Sequence, residues 1–154
     1  MATSIVQNIL AVAESRLAAT EGTSGVYRPK KQGDFPVEDK IIVLTHEDIE
    51  QDEELSCAGN PPKIAWVLPV KVAAIIEPDD DDTQPIDQRM NDFIVLAMDA
   101  ITEPDVWYQF GGNAINAILE APIQYQPSDD TARGMMFTIR VTYRVDETNQ
   151  TQLA

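Results

Sequence analysis

The chain has one cysteine, one histidine and only 11 lysines and arginines among 154 residues, and each scarcity removes a class of chemistry. With Cys57 alone, no intrachain disulfide can form, and neither a thiolate zinc site nor a redox pair can be built within one subunit. With His46 alone, every site that needs two imidazoles from one subunit is excluded. At the end of an apolar strand segment, His46 reads as a structural or exposed residue. A serine triad would need it beside an activated serine, and no Gly-x-Ser-x-Gly turn occurs. The phosphate-binding pattern Gly-x-x-x-x-Gly-Lys-[Ser/Thr] is also missing, and Gly111-Gly112 reads as a turn doublet. No stretch approaches the ~18 apolar residues that span a bilayer, and no basic region followed by an apolar core opens the chain. The expectation is a soluble protein of a reducing compartment, with no membrane partner and no cofactor.

What the chain does have is acid. Asp plus Glu is 26 against 11 basic residues, so 11 − 26 gives a formal charge of −15. Tight binding to nucleic acid depends on Lys and Arg displacing counterions from phosphates, so this balance opposes it. A repelling wall past which DNA slides without sticking remains compatible with it. The length suits one domain, 1–154, with a real core, and an apolar fraction of 44% suits a packed fold.

Thr3 and Ser4 can cap a helix in which Val6, Leu10, Ala13 and Leu17 recur at helical spacing, with Ile5, Ile9 and Val12 widening the stripe, up to about Ala19. Gly22 and Gly25 end it among small polar residues. The segment 26–36 reads as an extended arm or loop and carries the local basic cluster Arg28, Lys30 and Lys31. Lys40 to His46 has the β-branched density of a strand buried on both faces or paired at an interface. Glu47, Asp48, Glu50, Asp52, Glu53 and Glu54 follow, a self-repelling block that predicts a loop or an outward strand end.

After a turn at Gly59-Asn60-Pro61-Pro62, the residues Ile64, Trp66, Leu68, Val70, Val72, Ala74 and Ile76 fall on one strand face at period two. Pro69, on the opposite face, cannot donate to a ladder and predicts a bulge or a local edge there. Glu77 to Thr83 is an acidic connector into a helix beginning near Pro85, whose dipole the aspartates would complement. Ile86, Met90, Phe93, Ala97 and Ile101 make its stripe, and Ile94, Val95, Leu96 and Met98 leave it apolar on more than one side, which predicts contact with a neighbouring subunit as well as with its own sheet. Pro104 stops it. Trp107, Phe110 and Gly111-Gly112 form a turn. Ile115 to Tyr125 alternates like a strand, although Asn113 to Ala121 also fits a short helix. A turn near Ser128 precedes the cleanest strand, Met135 to Val145, apolar on one face and carrying Arg140 and Arg144 on the other. The tail 146–154 is polar and reads as flexible. Strands joined without crossover helices should pair antiparallel, so the pattern predicts an α+β two-layer sandwich: an antiparallel sheet with both helices on one face.

The acidic runs admit two metal readings. Aligning Asp79, Asp81 and Thr83 with the odd positions of a calcium loop puts Gln84 where glycine belongs and Met90 where the bidentate glutamate belongs, so no EF-hand results. A carboxylate-based, metal-dependent hydrolase is the alternative from the enzyme class, but the acidic clusters have no close basic partner for a phosphate. Acidic and basic strips on different edges of one chain suit a heterologous, head-to-tail contact between copies.

The opening Ile5-Val6-Gln7-Asn8-Ile9-Leu10, the strand Trp66-Val67-Leu68-Pro69-Val70, the helix from Pro85 to Glu103, Gly111-Gly112-Asn113-Ala114 and the strand Phe137 to Tyr143 together resemble the tail terminator (tail completion) proteins of tailed bacteriophages. That resemblance implies a non-enzymatic structural virion protein: a hexameric ring that caps the tail tube, meets neck or head-completion proteins, and lets DNA pass through its lumen. Assembly would occur in host cytoplasm. Under it, Arg28, Lys30, Lys31, Glu47, Asp48, Glu50, Asp52, Glu53, Glu54, Arg140 and Arg144 become candidate interface or lumen residues. A head-side neck adaptor, or a bacterial component built on a related tube machine, would share the small-ring architecture.

Overall fold

The computed structural model describes residues 4–29, 40–58, 63–78, 84–125, 132–146 and 149–153. Two 14-residue strands, β4 (Lys63–Ile76) and β7 (Arg133–Asp146), form its axis, paired antiparallel without a register shift from Lys63↔Asp146 to Ile76↔Arg133. Each gives its other edge to shorter strands. Along β4 lie β2 (Lys40–His46) and then β3 (Glu50–Cys57); along β7 lie β6 (Ile123–Tyr125), β5 (Asn116–Leu119) and β8 (Asn149–Leu153). β1 (Gly25–Tyr27) pairs with β2 in parallel, making a mixed eight-stranded sheet.

Both helices, α1 (Ile5–Leu17) and α2 (Ile86–Thr102), cover one face of this sheet, as the pattern predicts. The Ser4 hydroxyl caps α1 by accepting from the Gln7 amide at 3.2 Å, and Gly22, at φ 82°, lets the chain turn away after it. The buried stripe of α1 is Ile5, Ile9, Leu10, Ala13 and Leu17, with Val6 and Val12 half-buried beside it. On α2, Met90, Phe93, Ile94, Ala97 and Ile101 are buried. They meet Leu68, Val70, Val72, Ala74 and Ile76 of β4 and Phe137, Ile139, Val141, Tyr143 and Val145 of β7. Burying a side chain such as Phe93 or Phe137 contributes about 1.5–3 kcal/mol.

Several expectations need correction. The sheet is not apolar on one face only: Ile41, Val43, Ala73, Ile75 and Ala132 form a second buried cluster on the side away from the helices, and β2 is buried on both faces, the first of the two forms its β-branched density predicts. The pairing is not wholly antiparallel, because β1 runs parallel to β2. Within the acidic block, residues from Glu50 onward are a strand and not a loop. Ile115 to Tyr125 gives two short strands and no helix. The backbone of Asn149–Leu153, expected as a flexible tail, runs as β8 beside Val145 and Asp146. The readings on Thr3, Lys30, Lys31, Gly59 to Pro62, Asp79 to Thr83 and Ser128 to Asp130, and on most of the expected arm, lie outside the described residues.

Candidate functional site

The acidic block starts where β2 leaves the ladder. The Glu47 amide donates to the Pro69 carbonyl at 3.0 Å, so in this antiparallel register the nitrogen of Pro69 faces the gap between β2 and β3. A proline, with no N–H to place, fits where the ladder passes from one strand to the next, and the Glu47 carbonyl is bonded instead by His46. The Glu47 carboxylate is ion-paired with Lys71. His46 is exposed, and its Nδ1 donates to the Glu47 carbonyl at 2.8 Å, which fixes its tautomer and makes it part of the turn. Asp48 is exposed.

β3 then pairs through Glu50↔Val67 and Asp52↔Ala65, bulges, and rejoins at Cys57↔Lys63. Polar side chains hold the bulge together. The Asp52 carboxylate accepts from the amides of Glu54 and Leu55 at 3.0 and 3.2 Å, and the Ser56 hydroxyl donates to the Asp52 carbonyl at 2.7 Å. Ser56 Oγ in turn accepts from the Ala65 amide at 3.0 Å, standing in for a backbone carbonyl. The bulge leaves Glu53, Glu54 and Leu55 exposed, as Glu50 also is.

The candidate cations divide between the two sides of the sheet. Arg28 lies on the helix side, where it donates to Gln7 Oε1 at 2.7 Å and stands 3.6 Å from Glu14 of α1. It is engaged within its own subunit. Arg140 and Arg144 lie on the outer face, Arg140 with its Nε 4.0 Å from Glu120 and Arg144 with Nη1 3.4 Å from Cys57 Sγ. The Arg144 Nε is buried with no partner among the described residues. Register places Asp52, Ala65 and Arg144 in one row across β3, β4 and β7. The structure thus brings Arg140 and Arg144 onto one surface and leaves Arg28 on the other.

On the outer face of the sheet cations and carboxylates interleave: Lys63, Lys71, Arg140 and Arg144 of β4 and β7 share it with Glu47, Glu50, Asp52 and Glu120 of the flanking segments, and the register sets Asp146 opposite Lys63. The exposed side of α2 is uniformly acidic. Asp87, Asp92, Asp99 and, at its end, Glu103 surround exposed Val95 and Leu96, while the one cation of that helix, Arg89, is buried. Between this side and the end of α1 runs a groove of about 610 Å³ lined by Ala19, Thr20, Glu21, Leu96, Asp99 and Glu103. The Thr20 hydroxyl in its wall is buried with no hydrogen-bond partner among the described residues. Inspecting runs of like charge could not find this surface, because its carboxylates are dispersed at helical spacing. The signal that could have found it is the apolar surplus of α2.

Arg16 was not anticipated either. Its Nη1 donates to the Trp107 carbonyl at 2.8 Å and reaches the Ile101 carbonyl at 3.4 Å, and its guanidinium lies 5.0 Å from the centre of the Phe110 ring. Burial lowers its pKa from the ordinary arginine value, and burial likewise raises that of the Tyr143 phenol. Among the described residues, no three His, Cys, Asp or Glu side chains stand together as a metal ion would require, and no helix is long and apolar enough to cross a membrane.

No protein-family model and no curated protein matches this chain. A solved structure does: the sheath/tube terminator, in its extended state, of the extracellular contractile injection system PVC, determined by cryo-electron microscopy. The match covers 100% of this chain and 62% of that one, at a TM-score of 0.50 and 11% sequence identity. This chain therefore spans less than two thirds of the length of the protein it matches. At that identity the likeness is one of fold alone.

Proposed function

We propose that this protein is a ring-forming tube terminator, a structural subunit that closes the end of a tail tube in a phage or a phage-like injection particle. The observation that carries this reading is the correspondence of its entire length to a sheath/tube terminator. The surface agrees with it. Val95, Leu96, Ile118 and Ile123 are large apolar side chains left exposed at 37–59% of their full area. Val95 and Leu96 adjoin on α2, and adjoining exposed apolar side chains suit a contact between proteins.

The function is mechanical and electrostatic. Copies join around an axial channel, one rim seats on the last tube subunits, and the other receives neck or head-completion proteins. The exposed carboxylates Glu50, Glu53 and Glu54 on β3 suit a channel wall that DNA passes without adhering. A ring of six would carry 6 × −15, a formal charge of about −90, largely screened by counterions beyond ~8 Å.

Negative-stain imaging of the purified protein mixed with tail-tube subunits tests this reading. Rings capping the ends of short tubes are expected. Tubes that stay uncapped and of unrestricted length at saturating protein would overturn it.

A further inference from the structure

We infer that the groove between the end of α1 and the exposed side of α2 is a docking slot for an arginine-bearing segment of a different protein. Both helices bring carboxylates to it, Glu21 from just past α1 and Asp99 and Glu103 from α2, beside the apolar Leu96 and Ala100. Along α2, Asp92, Leu96, Asp99 and Glu103 recur at helical spacing, so they form one stripe in which carboxylates bracket an apolar side chain. No exposed cation interrupts it, because the one cation of that helix, Arg89, is buried.

Thr20 makes this acidic surface a site. The residue is only 5% exposed, and its hydroxyl, in the wall of the groove, has no hydrogen-bond partner among the described residues. A buried hydroxyl without a partner costs free energy, which a ligand that reaches it recovers. Its oxygen can accept, so the ligand that completes it is a donor. A guanidinium meets every demand: five N–H groups in a rigid fork can serve carboxylates from both helices and the hydroxyl together, while the apolar stem lies along Leu96. The groove also opens at the C-terminal end of α1, where the helix dipole favours a cation. Exposed Val95 adjoins Leu96 and extends the apolar strip, so the docking segment carries an apolar residue next to its arginine.

Charge excludes the other occupants. Carboxylates repel nucleic acid and anionic lipid, and among the described residues no three acidic side chains stand together as a metal ion would require. A second copy offers no matching surface among the described residues. Arg16, Arg28, Lys71 and Arg140 each stand against an oxygen of their own subunit, and the cations of the outer sheet face are interleaved with carboxylates. The counter-cation therefore comes from another protein, whether or not copies of this one close into a ring.

Peptide binding tests the inference. The probe is a rhodamine-labelled peptide of alternating leucine and arginine, titrated with the full chain and followed by fluorescence anisotropy, beside the same peptide with citrulline, the neutral isostere, in place of arginine. The arginine peptide is expected to bind about tenfold or more tightly than the citrulline peptide, and D99N/E103Q to lose a similar factor. E50Q/E54Q makes the same change of net charge on β3 and is expected to lose less than about threefold, since it acts only through screened, distant charge. T20V is expected to weaken binding about threefold while unfolding in urea no earlier than the unaltered protein, because it removes a hydroxyl that makes no bond in the free chain; Thr20→Ala replaces it should it not fold. No binding at millimolar peptide, equal losses in D99N/E103Q and E50Q/E54Q, or full binding by T20V would each overturn the slot. Loss of self-association by D99N/E103Q in native mass spectrometry would overturn it too, by making the groove a contact between copies. Failure of the peptide to bind leaves the ring reading standing, because no contact between copies enters that titration.

Discussion

At the scale of single residues, the joint between the two helices depends on Arg16. Its guanidinium donates to backbone carbonyls at the end of α2 and in the 3-10 turn Trp107–Gln109, and it covers the ring of Phe110. Hydrogen bonds from a charged donor are worth about 1.5–3 kcal/mol, and an orphaned carbonyl adds to the loss. Arg16→Met keeps the apolar stem and removes the donors, so urea unfolding should show a stability lower by ~2–3 kcal/mol. Phe110 itself sits at φ 45° and ψ 56°, a left-handed conformation that costs a non-glycine residue about 1–2 kcal/mol. Complete burial of its ring against Trp107 and Arg16 offsets that cost, and Gly111 and Gly112, also at positive φ, complete the turn without a comparable penalty. Tyr143 gives a pH signature. Burial disfavours its phenolate, so its folded pKa lies above the ordinary value of 10.0. Its contribution to stability is therefore complete below about pH 10 and is lost as the pH rises through the higher folded value. Tyr143→Phe should unfold less steeply than the unaltered protein above pH 10, which thermal melts across that range would register; identical alkaline profiles would contradict it.

At the scale of elements, the chain reads well where side-chain period and position agree. The 14-residue β4 and β7 were legible because alternation persists over their whole length. α2 was legible because one stripe and a following proline mark its face and end. Pro69 carried a topological message: a proline inside a long strand needs a place where no ladder bond is wanted, and the chain supplies it at the break between β2 and β3. Ser56→Ala should cost ~1–2 kcal/mol, because it strips the Ala65 amide of its acceptor, and chemical denaturation beside the unaltered protein checks that cost. β3 was not legible. Six carboxylates in eight residues argue for solvation, and only the mixture of ladder pairing through Glu50 and Asp52 with side-chain bonds in the bulge makes a strand there. β1 and β8 were missed for a related reason: their pairing partners, Ile41 to Val43 and Val145 to Asp146, are set by tertiary approach, which a local pattern does not encode.

At the scale of the whole molecule, what matters is which surface is left over. The sequence disclosed the surplus apolar side of α2 and the cations of β7, but the gathering of carboxylates around Val95 and Leu96 on the exposed side of α2 appears only once helical phase and burial are combined. Of the candidate residues chosen by local charge density, Arg28 and Glu47 are engaged within the subunit, Asp52 organises a bulge, and Arg140 and Arg144 share an outward surface. Proximity in sequence was a poor guide because a strand sends neighbouring residues to opposite faces. The central claim is that the useful object is a closed assembly of copies. Native mass spectrometry of the full chain, alone and with tail-tube subunits, counts those copies directly. The account predicts a discrete ring, six subunits under the terminator reading, and a single species remaining at 17.1 kDa under every condition would contradict it.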